Sequence, residues 1–355
     1  MNRATSISIC VLLSLPSFAM AQSYTPQESA TVGAASTTLL GYQDITMDTR
    51  VFQVAWRFPE GLMGAQPVVV WSHGGAAGQT NATNVLPEWA AKVVQAGFVS
   101  VSIAHTGRDQ SSREALCTEL GIPLDTPSPS DLDCQNFKHL NFDRPFDIRR
   151  ALNFVEDLAL AEPDRVDASR IVVAGHSSGS GGTLSVAGAA RQFAAIHSDL
   201  DDPRPLAFMA FSPQGPGVEG MFDTDHLQPD HSWENITRPV LVGTGAGDNS
   251  CTPRFSCDNG SPPRTRRIPF QRMPAGDKYL MYIRDVQAAH VMFGMEVSAC
   301  MAQVDPARCM EFEDWLGSSA HAFLDAYLRD NAAALQWLDG ELQLLTGGDV
   351  EWSSK

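Results

Sequence analysis

Short runs of branched and small apolar residues alternate along this chain with segments whose apolar positions recur every three or four residues. "VFQVAWRF" (51–58) alternates as an amphipathic strand. "PVVVWSHGG" (67–75) begins as a buried strand and ends in glycines. "FVSVSIAH" (98–105), "RIVVAG" (170–175), "PLAFMAFS" (205–212), "RPVLVGTG" (238–245) and "KYLMYIRD" (278–285) read as further strands. Helical spacing is found in "LPEWAAKVVQAG" (86–97), "RPFDIRRALNFVEDLAL" (144–160), 178–190 and "FEDWLGSSAHAFLDAYLRD" (312–330). Strands alternating with helices predict an α/β fold, a mostly parallel central sheet with helices on both faces. The continuous apolar runs agree, because parallel strands are buried on both sides. Stretches 106–142, 213–237 and 249–274 show no such period and exceed ordinary connections. Loops of that size inside a compact domain often line a site. No internal repeat and no second domain boundary is visible.

The first 21 residues read differently. Arg3 supplies a positive start, "ISICVLLSLPSF" (7–18) a short apolar core, and "AMA" (19–21) a small-residue cleavage site. The apolar run is shorter than the roughly 20 residues of a membrane span. The reading is a signal peptide over 1–21, one domain over 22–355, and a secreted or periplasmic product without stable membrane insertion. The formal net charge of −16 disfavours nucleic acid and anionic lipid heads as partners. Of the seven Cys, Cys10 falls in the leader. Cys117, Cys134, Cys251, Cys257, Cys300 and Cys309 remain, an even set that suggests disulfides in an exported chain. Proximity along the chain favours 117–134, 251–257 and 300–309 among the 15 connectivities open to such a set. No C-x-x-C is present, so a zinc site is the weaker reading.

One stretch breaks local rules. In "IVVAGHSSGSGGTLSVAGAA" (171–190), glycines sit at 179, 181, 182 and 188 where a helix begins, although each Gly in a helix interior costs about 1 kcal/mol relative to Ala. Gly175-His176-Ser177-Ser178-Gly179 is G-x-S-x-G between a strand and a helix, the context in which that motif presents a serine on a tight turn. Gly175 and Gly179 are expected where a Cβ would strike neighbouring backbone. Gly181 and Gly182 are expected to let the helix approach the sheet.

A serine nucleophile needs a base, and the base an orienting acid. In open parallel-sheet hydrolases the acid and then the histidine follow the serine. Asp248, after "RPVLVGTG", is the candidate acid, with Asp223 and Asp225 as alternatives. His290, just beyond the last strand, is the candidate base. His73, His105 and His139 lie upstream of the serine; His197, His226 and His231 precede Asp248; His321 falls in a helical pattern; His176 reads as scaffolding of the turn. The oxyanion donors are expected to be the amides of Ser178 and of Gly75, with Gly74 as the alternative. Arg264, Arg266 and Arg267 read as a solvated loop, or less readily as an attraction for an anionic substrate.

"VVVWSHGG", "AGFVSVSIAHTG", "FDRPFDIRRALNFVEDL", "RIVVAGHSSGSGG", "FSPQG", "RPVLVGTGAGD" and "AAHVMF", in that order over about 66–293, resemble the α/β-hydrolase superfamily. Within it they look like the dienelactone-hydrolase-like and platelet-activating-factor-acetylhydrolase-like serine esterases. The resemblance implies an α/β-hydrolase fold, an oxyanion hole at Gly75 and Ser178, and no cofactor or metal. Two departures stand out: true dienelactone hydrolases carry Cys where Ser177 stands, and the 249–274 excursion has no counterpart. The leading expectation is an exported serine esterase, acting on a small-molecule, lipid or polyester substrate through a Ser177–His290–Asp248 triad. The alternatives are a binding module on an inactive hydrolase scaffold and, ranked lower, a peptidase.

Overall fold

In the central strands, neighbouring side chains go to opposite faces, and both faces are dry. Val68, Val70, Ile171, Val173, Phe208, Ala210, Val240 and Val242 join one apolar cluster, while Val69, Trp71, Val172, Ala174, Met209, Phe211 and Leu241 join the other. This is the burial that unbroken apolar strands demand. The computed structural model describes residues 24–75, 78–126, 133–135, 137–190, 200–215, 233–249, 265–341 and 347–355. The expected leader, Cys251, Cys257, Asp223, Asp225 and Arg264 lie outside the described residues.

With strands numbered along the chain, one sheet among the described residues runs in the order β11 (Val350–Ser354), β10 (Lys278–Ile283), β9 (Val240–Gly245), β8 (Pro205–Phe211), β7 (Val166–His176), β5 (Gln66–Ser72), β6 (Val99–Ala104), β3 (Thr49–Arg57), β2 (Ser36–Gln43). Strands β10 to β6 are parallel neighbours, and β11, β3 and β2 add antiparallel edges. Short β1 (Thr31–Val32) and β4 (Pro59–Glu60) pair separately.

Among the described residues, the helices are α1 (Pro87–Gln95), α2 (Gln110–Glu119), α3 (His139–Ala161), α4 (Ser178–Val186), α5 (Ile268–Arg272), α6 (His290–Phe293), α7 (Val297–Met301), α8 (Pro306–Leu328) and α9 (Ala332–Gln336). Trp89 and Val93 of α1 and Phe312, Leu316 and Phe323 of α8 cover one face. Ile148, Leu152 and Val155 of α3 and Leu184 of α4 cover the other. Chain order reverses at β5: the chain goes from β5 to β6 on one side, then to β7 on the other. Ligands of open α/β sheets bind beyond the strand C-termini at such a switch point.

Several elements differ from the sequence expectation. β2 ("STTLLGYQ") buries only Leu40 fully, so no inward stripe advertised it. β11 ("VEWSS") is short and half polar. Helix α2 lies inside a stretch expected to be irregular. It is capped by the Asp109 side chain on the Ser112 amide and held near α3 by the Cys117–Cys134 disulfide, whose sulfurs sit in a small cluster with Leu116, Phe137 and Phe142. Helix α3 begins at His139 rather than beside Pro145; an internal proline forfeits one hydrogen bond but does not have to start the helix. Cys300 and Cys309 form the second disulfide, linking α7 to α8. Both pairings follow chain proximity; 251–257 lies outside the described residues. Among the described residues, no helix is long and apolar enough to cross a membrane.

Candidate active site

Ser177 stands between β7 and α4 at φ 54°, ψ −123°, a region that non-glycine residues rarely occupy. Its own amide donates to the Phe211 carbonyl of β8 at 2.9 Å, which holds the turn against the sheet. The flanking glycines are steric necessities. A Cβ on Gly179 would lie 2.0 Å from the Ser72 carbonyl oxygen, and one on Gly175 would lie 2.4 Å from the Gly179 backbone. Gly182 serves a different purpose from the one expected. A Cβ there would meet Arg144 Cβ at 2.9 Å and Ile148 at 3.2 Å, so it admits helix α3, not the sheet.

His290 opens α6, and its Nδ1 lies 2.8 Å from Asp248 Oδ1. Two ties bring this imidazole to the serine turn. The His176 ring lies 4.7 Å from the His290 ring, centroid to centroid, and its Nε2 donates to the His290 carbonyl at 3.1 Å. Ser212, the residue after Phe211, places Oγ 2.7 Å from His290 Nδ1. His176 is the scaffolding expected for it. Burial, then the neighbouring His290, pushes its pKa down to about 3, so it stays neutral and keeps the Nε2 proton it donates.

Asp248 is fully buried in a ring of donors. Its Oδ1 accepts from Ser212 Oγ at 2.5 Å and its Oδ2 from Thr244 Oγ1 at 2.7 Å. Arg266 Nε lies 3.2 Å from Oδ1 and donates to the Asp248 carbonyl at 3.0 Å. Burial alone would raise this carboxyl's pKa. The Arg266 charge, then the His290 and Ser212 hydrogen bonds, outweigh burial and hold it at about 2, below its ordinary 3.8. The unfolded chain therefore takes up this proton first. Stability from Asp248 is complete above about pH 4 and is lost as pH falls toward about 2. Urea midpoints measured from pH 5 to pH 2.5 should fall more steeply for the native protein than for Asp248→Asn.

Arg266 corrects the loop reading. Its side chain is completely buried, and it also donates to the Ser212 carbonyl at 2.6 Å, joining the two loops that flank the histidine. Arg267 pairs with Glu351. Neither is offered to an anionic substrate.

On the other side of the serine, His73 Nδ1 donates to the Gly74 carbonyl at 2.7 Å, while His73 Nε2 accepts the His105 amide at 3.2 Å. Peptide C=O and N–H groups point in opposite directions across a trans bond. The Gly75 amide is thereby turned away from the His73 ring. Gly75 has φ 85°, and its carbonyl accepts from Arg144 at 2.5 Å. A Cβ on Gly74 would sit 2.7 Å from Ser177 Cβ, so this loop lies directly against the serine. Ser178 is the first residue of α4, and the first amides of a helix have no intrahelical acceptor. Gln214 Nε2 lies 3.5 Å from Ser177 Oγ. Ser212, Thr244, Gln214 and Arg144 carry no motif that marks them in the sequence; each is placed by its strand end or by a distant helix.

The described residues also hold a Ser–His–Asp set joined by hydrogen bonds. Ser72 Oγ lies 2.8 Å from His105 Nε2, and His105 Nδ1 lies 2.9 Å from Asp147 Oδ2. All three residues are wholly buried, so no substrate reaches them. Asp147 is also held by both Arg50 donors at 2.7 Å and by Tyr42 at 2.9 Å. Burial lowers the His105 pKa to about 4 despite the aspartate. With His105 neutral between Ser72 and the ionised Asp147, this relay braces the strand that leads into His73-Gly74-Gly75. Among the described residues, no group of His, Cys, Asp and Glu could hold a metal ion.

No protein-family model matches the sequence, and no curated protein does. Among solved structures, the chain is similar to an acylaminoacyl peptidase from Pyrococcus horikoshii, with TM-score 0.51 and 13% identity over 84% of this chain and 42% of that one. It is also similar to a brefeldin A esterase, a bacterial homologue of human hormone-sensitive lipase, with TM-score 0.49 and 14% identity over 91% of this chain and 81% of the esterase. A third is a 2,6-dihydroxy-pseudo-oxynicotine hydrolase, with TM-score 0.46 and 13% identity over 83% of this chain and 69% of that one. This chain thus spans less than half the length of the peptidase. At 13% identity the likeness to the peptidase is one of fold. With the sheet order above, it gives this chain the α/β-hydrolase fold.

Proposed function

We propose that this protein is an exported serine hydrolase that cleaves carboxylic esters through an acyl-enzyme. The observation that carries the reading is Ser177, held at positive φ on a turn whose His176 ring packs 4.7 Å from a histidine bonded to a buried aspartate. Ser177 Oγ bonds to the ester carbonyl carbon, and its proton passes to His290 Nε2. The tetrahedral oxyanion is met by the Gly75 and Ser178 amides. Collapse breaks the bond to the alcohol, which leaves with the proton from His290. Water then repeats the sequence and frees the acid. Asp248 keeps the His290 Nδ1 proton in place and balances the imidazolium. The chemistry calls for no cofactor or metal. The two disulfides support an oxidising compartment and so the export reading.

The test is treatment of the purified protein with a fluorophosphonate, alongside hydrolysis of p-nitrophenyl esters of graded acyl length. The expected result is one covalent adduct, mapped by mass spectrometry to Ser177, with parallel loss of ester turnover. An unlabelled Ser177 would favour the inactive-scaffold reading. Cleavage of acyl-peptides but not of esters would favour the peptidase.

A further inference from the structure

We propose that Ser212 is a positioning residue for the hydrolytic reaction, a second acceptor that holds the Nδ1 proton of His290 alongside Asp248. This rests on the hydrolase reading above and adds a fourth side chain to it. Ser212 Oγ is 2.5 Å from Asp248 Oδ1 and 2.7 Å from His290 Nδ1. His290 Nδ1 is itself 2.8 Å from that same carboxylate oxygen. Proton accounting fixes the roles. An ionised carboxylate has only lone pairs to offer, so an Nδ1 at 2.8 Å from it must carry a hydrogen. Ser212 has one hydroxyl proton, and its 2.5 Å contact with Oδ1 consumes it. The remaining contact is then Nδ1–H shared between Asp248 Oδ1 and a lone pair of Ser212 Oγ. Nε2 is left free to take the nucleophile's proton.

The backbone around Ser212 argues for the same role. Ser212 has φ 55°, where glycine is the natural occupant, yet it carries a side chain. Its amide donates to the Gly243 carbonyl and its carbonyl accepts from Arg266, both at 2.6 Å. These ties hold a conformation that points the hydroxyl at the histidine and the acid. The residue is completely buried, so solvation does not account for a hydroxyl there.

The consequence is that the two acceptors act as a unit. Ser212 Oγ offers Nδ1–H only a lone pair while the Asp248 carboxylate takes its hydroxyl proton; without Asp248 that hydroxyl is free to donate to Nδ1. The test is a double-mutant cycle with two readouts. Ser212→Ala alone should lower kcat about 3–30-fold with KM unchanged, and in an Asp248→Ala background the same change should bring no further loss, because residues of one hydrogen-bond network are not additive. Imidazole nitrogen NMR of His290 should show the Nδ1–H tautomer in the native protein, the Nε2–H tautomer in Asp248→Ala, and part of the Nδ1–H form regained in the double variant, where no hydroxyl donates to Nδ1. Ser212→Gly relaxes the backbone and should be as impaired as Ser212→Ala. Three results would overturn the proposal: equal losses in both backgrounds, recovery of activity in Ser212→Gly, or the same tautomer mixture in Asp248→Ala and in the double variant. The NMR arm reads the tautomer without turnover, so it decides the role of Ser212 even if the native protein hydrolyses no ester.

Discussion

Replacing Ser177 with Ala should lower kcat for p-nitrophenyl ester hydrolysis roughly 10⁵–10⁶-fold, the size of loss seen when a triad nucleophile is removed. The residue should not fall to the uncatalysed rate. Oxyanion donors and substrate binding alone leave about 10³–10⁴-fold over water in serine hydrolases without a working triad. Stability separates the chemical role from a structural one. Ser177 has φ 54°, and a strained non-glycine residue of this kind carries on the order of 1–3 kcal/mol. Ser177→Ala keeps the strain and should melt within a degree or two of the native protein. Ser177→Gly relieves the strain and should melt higher, with turnover just as low. A protein that gains stability while losing its activity is the signature of backbone strain maintained for function. Turnover persisting in both variants would remove Ser177 from the chemistry.

The second large effect lies away from the serine. Asp147→Ala should destabilise the protein by about 3–5 kcal/mol, because it strips the buried Arg50 guanidinium of its main partner. Asp147 takes both donors of Arg50, the Nδ1 of His105 and the Tyr42 hydroxyl. Without it, the ion pairing of Arg50 is reduced to a 3.4 Å approach to Asp143, which already serves Arg108 at 2.7 Å. Against a total stability of about 5–15 kcal/mol, that loss is severe. Urea unfolding at pH 7 measures it. The paired change Arg50→Met with Asp147→Leu should cost less than Asp147→Ala alone, because it removes the charge and its partner together. A loss below about 1 kcal/mol for Asp147→Ala would mean that water reaches this network and that it does not brace the Gly74–Gly75 loop.

These two predictions draw on different kinds of legibility. Ser177 could be read from the chain because its constraints are local. A strand must end, a turn must form, and Gly175 and Gly179 must lack side chains, all within five consecutive residues. His290 and Asp248 could be read from their places after successive strands. Asp147 could not. It sits in an ordinary helical pattern, and its partners come from 97 and 42 residues away. The same holds for Arg266, which reads as a solvated basic loop until the fold buries it against Asp248. β2 is not legible because Leu40 alone among its eight residues is fully buried, so no row of inward positions marks a period of two. Helix α2 was missed because its stability comes from a cap and a disulfide more than from an apolar stripe.

The sequence by itself determined the parallel α/β core and the serine turn, and it favoured the pairings of Cys117 with Cys134 and Cys300 with Cys309 that the structure shows. Apolar period, steric exclusion and short chain separation are properties of neighbouring residues. Only the tertiary structure decided which polar side chains share a proton. It set Ser212 between Asp248 and His290, closed Arg266 over the acid, and sealed Ser72, His105 and Asp147 away from solvent. A hydrogen bond is fixed by distances of a few tenths of an ångström between strand ends far apart in the chain. Those distances are set by how the sheet twists and how the helices pack upon it, which no local pattern encodes.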